Sequence, residues 1–124
     1  MLSARHRLRN STDIRRTLRG HRAGGHLVVV HGVRRRERVG LPARVGFVVS
    51  RALGGAVVRN RVKRRLRAHV ASTLDHVPHG VDVMVRANPG AACAQFDQLA
   101  AEYDRLLGRV LARLDEPRSS TAKR

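Results

Sequence analysis

Residues 44–67, RVGFVVSRALGGAVVRNRVKRRLR, hold the pattern on which the fold turns. The opening RVGFVVS, residues 44–50, is short, apolar and rich in β-branched side chains, and reads as a strand. Gly54-Gly55 then breaks the chain. From Ala56 the period changes. Val58, Val62 and Leu66 recur at i, i+4 and i+8, which stacks them along one side of an α-helix. Arg59, Lys63 and Arg67 form a second row at the same spacing, and Asn60 and Arg64 a third. Seven of the twelve positions 56–67 are Arg, Lys or Asn and none is acidic, so no local partner neutralises the cations. A helix that docks one side on a core and presents this much uncompensated charge is suited to meet a polyanion.

Working outward, Ser11 or Thr12 is expected to cap a short helix running to about Arg19, stopped by Gly20, with Ile14 and Leu18 as its apolar side. HLVVVHGV, residues 26–33, reads as a buried strand. The charged run 34–38 and the turn chemistry of Gly40-Leu41-Pro42 form a connection to the strand at 44–50. The basic helix continues to about Leu74. Pro78 and Gly80 introduce a third strand, residues 81–87, and Asn88-Pro89-Gly90 turns the chain into a last helix. Phe96, Leu99, Tyr103, Leu106, Leu107, Val110, Leu111 and Leu114 hold a 3.6-residue period along it. Pro117 ends this helix, and residues 117–124 read as a disordered basic tail. The order αββαβα predicts an α+β fold: a single compact domain over residues 1–116, with helices covering a small sheet.

Composition narrows the partners. The chain has 124 residues, 42% of them apolar, which suits one packed domain. Its 26 Lys and Arg against 9 Asp and Glu leave a net charge of +17, a balance that favours association with phosphates. No apolar run approaches the ~20 residues needed to span a bilayer, so no membrane partner is expected. Cys93 is alone, and MLSARHRLRN at the start lacks the apolar core of a signal peptide. A reducing interior, the cytoplasm, is the expected location. With 2% aromatic residues, extensive base stacking is not available.

The sequence offers no catalytic or metal-binding set. His76 and His79 have no cysteine or carboxylate pair at a zinc-like spacing beside them. Asp75, Asp82, Asp97, Glu102 and Asp104 show no paired arrangement suited to general acid–base work. Cys93 sits among alanines early in the expected last helix and reads as a filler thiol. No Walker-type spacing surrounds Gly54-Gly55.

These residues are specific enough to suggest a family. R-V-G-F-V-V-S-R at 44–51, followed by G-x-x-V-x-R-N-R-V-K-R-x-x-R at 54–67, closely resembles the signature of the bacterial ribonuclease P protein subunit. Arg7-Leu8 with Asp13 resembles that family's opening pattern, and residues 81–89 its last strand. The resemblance implies a ribosomal-protein-like fold in which the basic helix sits in a left-handed βαβ crossover, against the usual right-handed rule. It implies a protein partner of a catalytic RNA that removes the 5′ leader from precursor tRNA, one protein per RNA, with the chemistry borne by the RNA and its Mg²⁺. Carried over, Arg51, Arg59, Asn60, Arg61, Lys63, Arg64 and Arg67 would face the RNA subunit. Arg7, Ile14, Leu18 and Val30 would line a cleft for the single-stranded leader. The family often carries aromatic residues at the positions of Ile14, Leu18 and Val30, where this chain is aliphatic. The other reading is a basic ribosomal or RNA-chaperone protein without a processing role; the RNR segment behind its strand favours ribonuclease P.

Overall fold

The computed structural model describes residues 2–115; the basic tail expected at 117–124 lies outside them. Seven principal elements follow one another: α1 (Ser11–Leu18), β1 (His21–Gly24), β2 (Val28–Arg34), β3 (Arg44–Val48), α2 (Ala56–Ser72), β4 (Val81–Ala87) and α3 (Phe96–Leu114). The strands form one sheet in the order β1-β2-β4-β3. β1 and β4 each pair antiparallel with β2, whereas β3 and β4 pair parallel and are joined through α2.

The expected αββαβα order is present with one addition, the four-residue β1. Its sequence, HRAG, has no β-branched or aromatic residue apart from the histidine ring, so propensity gives no strand signal. The segment is extended because it zips against β2, with Gly25 N donating to Val28 O at 2.9 Å across the turn. Other boundaries shift slightly. The cap of α1 is Asn10, whose side-chain oxygen accepts from Thr12 N at 2.9 Å and Asp13 N at 3.1 Å; Ser11 and Thr12 are already helical. β3 ends at Val48, and α2 ends at Ser72 before a short 3-10 turn at Leu74–His76. Cys93 is exposed at the end of a 3-10 segment, Pro89–Cys93, and lies outside α3.

Strand pleating divides the sheet into two faces. Register places Val28 and Val30 of β2 beside Ala87 and Val85 of β4, and Val45 of β3 beside Val83. This face is closed by Val62, Leu66 and Val70 of α2 and by Leu99, Tyr103, Leu106, Leu107 and Val110 of α3. A Cβ on Gly32 would lie 2.7 Å from the Val110 side chain, so glycine here lets α3 lie close to the sheet. Glu102 ties the start of β2 to α3, accepting from the backbone N–H groups of Leu27 at 2.6 Å and Val28 at 2.8 Å. His69 of α2 joins the two helices, with Nε2 2.7 Å from Asp104 Oδ1 and its ring edge-on to Tyr103.

The opposite face carries Val29 and His31 of β2, Asp82, Met84 and Arg86 of β4, and Gly46 and Val48 of β3. α1 packs over β2 and β4 on this side. The N-terminal segment runs along β3, Leu8 N donating to Val45 O at 3.1 Å. Gly46 permits that approach, since a Cβ there would meet Met84 Sδ at 2.6 Å and Leu8 O at 3.0 Å.

Candidate nucleic-acid interface

The turn into α2 requires glycine at position 54, where φ is 138° and ψ −162°, a region essentially closed to other residues. Beyond it, Val62, Leu66 and Val70 are buried, extending the apolar row by one more turn than Val58–Leu66. That docking fixes which cations face outward. Asn60, Lys63, Arg64 and Arg67 line a shallow groove on the outer side of the helix. Asn60, Arg64 and Arg67 are exposed, Arg59 and Lys63 are half-buried, and Arg51 is exposed on the 3-10 turn ahead of the helix.

Arg61 stands apart from this set. It is half-buried and donates to Ala92 O at 3.2 Å, while Arg65, one turn on, donates to Ala94 O at 3.1 Å. These two arginines clamp α2 to the segment preceding α3. Helical periodicity separated the rows, but nothing in the sequence marks which basic row finds carbonyls to hold.

The residues assigned to a leader cleft do not all meet. Ile14 and Leu18 are half-buried on α1, and Leu18 O accepts from His31 Nδ1 at 3.1 Å, which joins helix and sheet. Val30 is fully buried on the other face, in the core beneath α2 and α3. A one-residue step along a strand reverses the face, so its neighbours Val29 and His31 occupy the α1 side in its place. Arg7 lies at the β3 edge. It pairs with Val45, donates from Nε to Leu2 O at 3.1 Å, and shares a cavity with Arg9, Phe47 and Arg67. Arg7 is therefore grouped with the basic helix.

A buried ion network holds α1 in place. Asp82, fully buried on the central strand, accepts from Arg44 Nε at 2.9 Å and Nη2 at 2.7 Å, and pairs with Arg35 Nε at 3.2 Å. Asp13 of α1 pairs with Arg35 and, at 3.2 Å, with the same Arg44 Nη2 that reaches Asp82. Burial pushes the Asp13 carboxyl up, but hydrogen bonds and charge from Arg35 and Arg44 overcome this and hold it below its ordinary value. Asp82 hydrogen bonding raises the Arg44 guanidinium despite its burial. Arg16 is paired with Glu37 at 3.4 Å on the surface.

Two further arginines, Arg22 and Arg86, are exposed on the sheet. Arg86 is exposed on β4, the central strand, between Val29 and Val48 in register, and Arg22 is exposed on β1 opposite His31. Burial, then the Arg86 charge, depress His31, and Arg22 adds to this against the opposing Leu18 hydrogen bond. The sequence VDVMVRA does not mark this: Arg86 is the one exposed position among six buried ones, and Asp82, a charged residue of the same phase, is buried.

Known proteins share both sequence and fold with this chain. A family model described as Ribonuclease P matches residues 2–111. The ribonuclease P protein component of Acidothermus cellulolyticus is 51% identical over 112 residues, covering 89% of this chain and 92% of the relative. That of Kocuria rhizophila is 50% identical over 103 residues, covering 83% and 89%. The solved RNase P protein of Staphylococcus aureus matches with a TM-score of 0.74 at 26% identity, over 90% of this chain and 98% of that one. The Thermotoga maritima RNase P protein gives 0.72 at 26% identity, over 86% and 98%. With a family model spanning nearly every described residue, and the same strand, glycine turn and basic helix that first suggested it, the chain belongs to the ribonuclease P protein family.

Proposed function

We propose that this chain is the protein subunit of ribonuclease P, binding the catalytic RNA through α2 and the 5′ leader of precursor tRNA beside α1. The observation that carries this reading is the outer side of α2, where Asn60, Lys63, Arg64 and Arg67 line one groove while the opposite side is locked into the core. Arginine forks suit phosphate oxygens, and contacts of this kind give affinity without sequence choice. Arg51 and Arg59 extend the RNA-facing surface at the start of the helix, and Ile14 and Leu18 offer the leader aliphatic contact.

The role of the protein is electrostatic and positional. Its +17 charge offsets repulsion between enzyme RNA and substrate RNA. Mg²⁺ is assigned to the catalytic RNA, following the resemblance to the family. One protein serves one RNA, in the cytoplasm. No helix among the described residues is long and apolar enough to cross a membrane.

The test is cleavage of a precursor tRNA at low Mg²⁺ by RNA alone, protein alone and the reconstituted pair. The pair is expected to cleave efficiently where neither component does. Robust cleavage by protein alone, or no gain on mixing, would overturn the proposal.

A further inference from the structure

α1 covers only part of the sheet face on which it packs, and what it leaves open is unusual. The last row of that face runs Gly24, Val29, Arg86, Val48 across all four strands. Arg86 is the single exposed residue of β4, although β4 lies between two other strands and its neighbours on both faces are buried. A central-strand side chain is normally covered. Here an arginine stands in the middle of the sheet, flanked by two valines, with neither helix layer above it. Arg22 lies one row nearer to α1, opposite His31. Neither Arg22 nor Arg86 has an acidic partner among the described residues, whereas Arg16, Arg34, Arg35, Arg44 and Arg105 all do.

We propose that Arg86, assisted by Arg22, is the phosphate anchor that holds the single-stranded leader on the open sheet face, and that the contribution of this face to substrate affinity runs through this residue. This rests on the ribonuclease P reading above and names the residue that deepens it. The geometry favours one extended strand of RNA. From β2 to β3 the row measures about 10 Å, two strand spacings, and α1 walls one side. Val48, half-buried beside Arg86, offers apolar contact for ribose and base edges above the buried Val29, while the guanidinium, with its planar fork, meets the phosphate oxygens. His31 adds a second indication of a polar ligand. Its Nδ1 donates to Leu18 O, so its other ring nitrogen, Nε2, is left buried without a protein partner, and the charges of Arg86 and Arg22 both act on the ring.

The experiment uses the reconstituted holoenzyme and precursor tRNAs of graded leader length, down to a leaderless control, with affinity as readout. Arg86→Ala is expected to weaken leader-bearing precursor about tenfold, the size of one charge-assisted contact, and to leave leaderless tRNA unchanged. Arg86→Lys should recover part of the loss and Arg86→Gln none. Arg109→Ala, which removes the same charge from an exposed site on α3, should affect neither substrate. Thermal unfolding of each variant checks the fold; Arg86 is exposed, so the Gln variant remains a test if the Ala variant is unstable. Equal losses for leader-bearing and leaderless tRNA would assign Arg86 to another contact and overturn the proposal, as would no loss at all. If the wild-type pair shows no cleavage gain and no leader dependence, the ribonuclease P reading itself fails. Leader dependence that survives Arg86→Ala and Arg86→Gln overturns only this inference.

Discussion

At the scale of single residues, the buried polar groups decide most. Asp82 is fully buried and compensates both Arg35 and Arg44. Removing one member of such a set leaves an uncompensated buried charge, so Asp82→Ala should cost about 3–5 kcal/mol in urea unfolding. A loss below about 1 kcal/mol would mean that water reaches the two guanidinium groups. Tyr103 makes the opposite case. Its hydroxyl is buried with no partner, and burial pushes the phenol upward. Tyr103→Phe removes a desolvated polar atom while keeping the ring, and should raise stability by about 1 kcal/mol. Asp13 sets an acid dependence. Its folded-state carboxyl lies below its ordinary value of 3.8, so its contribution is complete above that pH and is lost as the pH falls through the folded value. Wild type should therefore lose stability more steeply than Asp13→Asn in unfolding measurements taken below about pH 4. Identical slopes would show that the pairing with Arg35 and Arg44 contributes nothing in solution.

At the scale of elements, α2 carries two kinds of arginine that look alike in the sequence. Replacing Arg59, Lys63, Arg64 and Arg67 together by Ala should flatten the salt dependence of RNA binding by about 0.7 per lost phosphate contact, roughly 3 units in all. Replacing Arg61 and Arg65 should act mainly on stability, because Ala92 O and Ala94 O lose their donors. If the Arg61 and Arg65 pair moved the salt slope as much as the outer four, the division of the helix into outer and docked sides would be wrong. This contrast also marks what sequence reading reached. The apolar row at i, i+4, i+8 was legible because one side of a helix must be buried, and β4 was legible from its alternating valines bounded by Gly80 and Asn88-Pro89. β1 was not, because its pairing with β2 holds it extended while its own residues favour no strand. The face of Val30 was not legible either, since β2 is buried on both sides and its run of three valines carries no alternation to set the phase. Arg86 is the converse case: its exposure depends on where α1 stops, which is a tertiary fact.

At the scale of the molecule, the net charge of +17 opposes the fold that presents it. Like charges crowded on one small domain repel, and salt screens them: the Debye length falls from about 10 Å at 0.1 M to about 3 Å at 1 M. The network of Asp13, Arg35, Asp82 and Arg44, centred on the buried Arg35 and Asp82, is screened less than surface pairs and should change less over that range. The free protein should therefore become more stable as sodium chloride is raised. Binding to RNA must respond in the opposite direction, because each phosphate contact releases counterions whose return is favoured by salt. RNA stabilises the folded protein by mass action, so its stabilising effect should shrink as salt increases. Thermal unfolding followed across a salt series, with and without RNA, should give one rising curve and one falling toward it, with the two meeting where the complex dissociates. A free-protein curve that is flat or falling would show that repulsion is already relieved within the fold, by ion pairs such as Arg34–Asp115 and Arg16–Glu37. In that case the charge would act only in binding, and the mutual dependence of fold and RNA would rest on contacts alone.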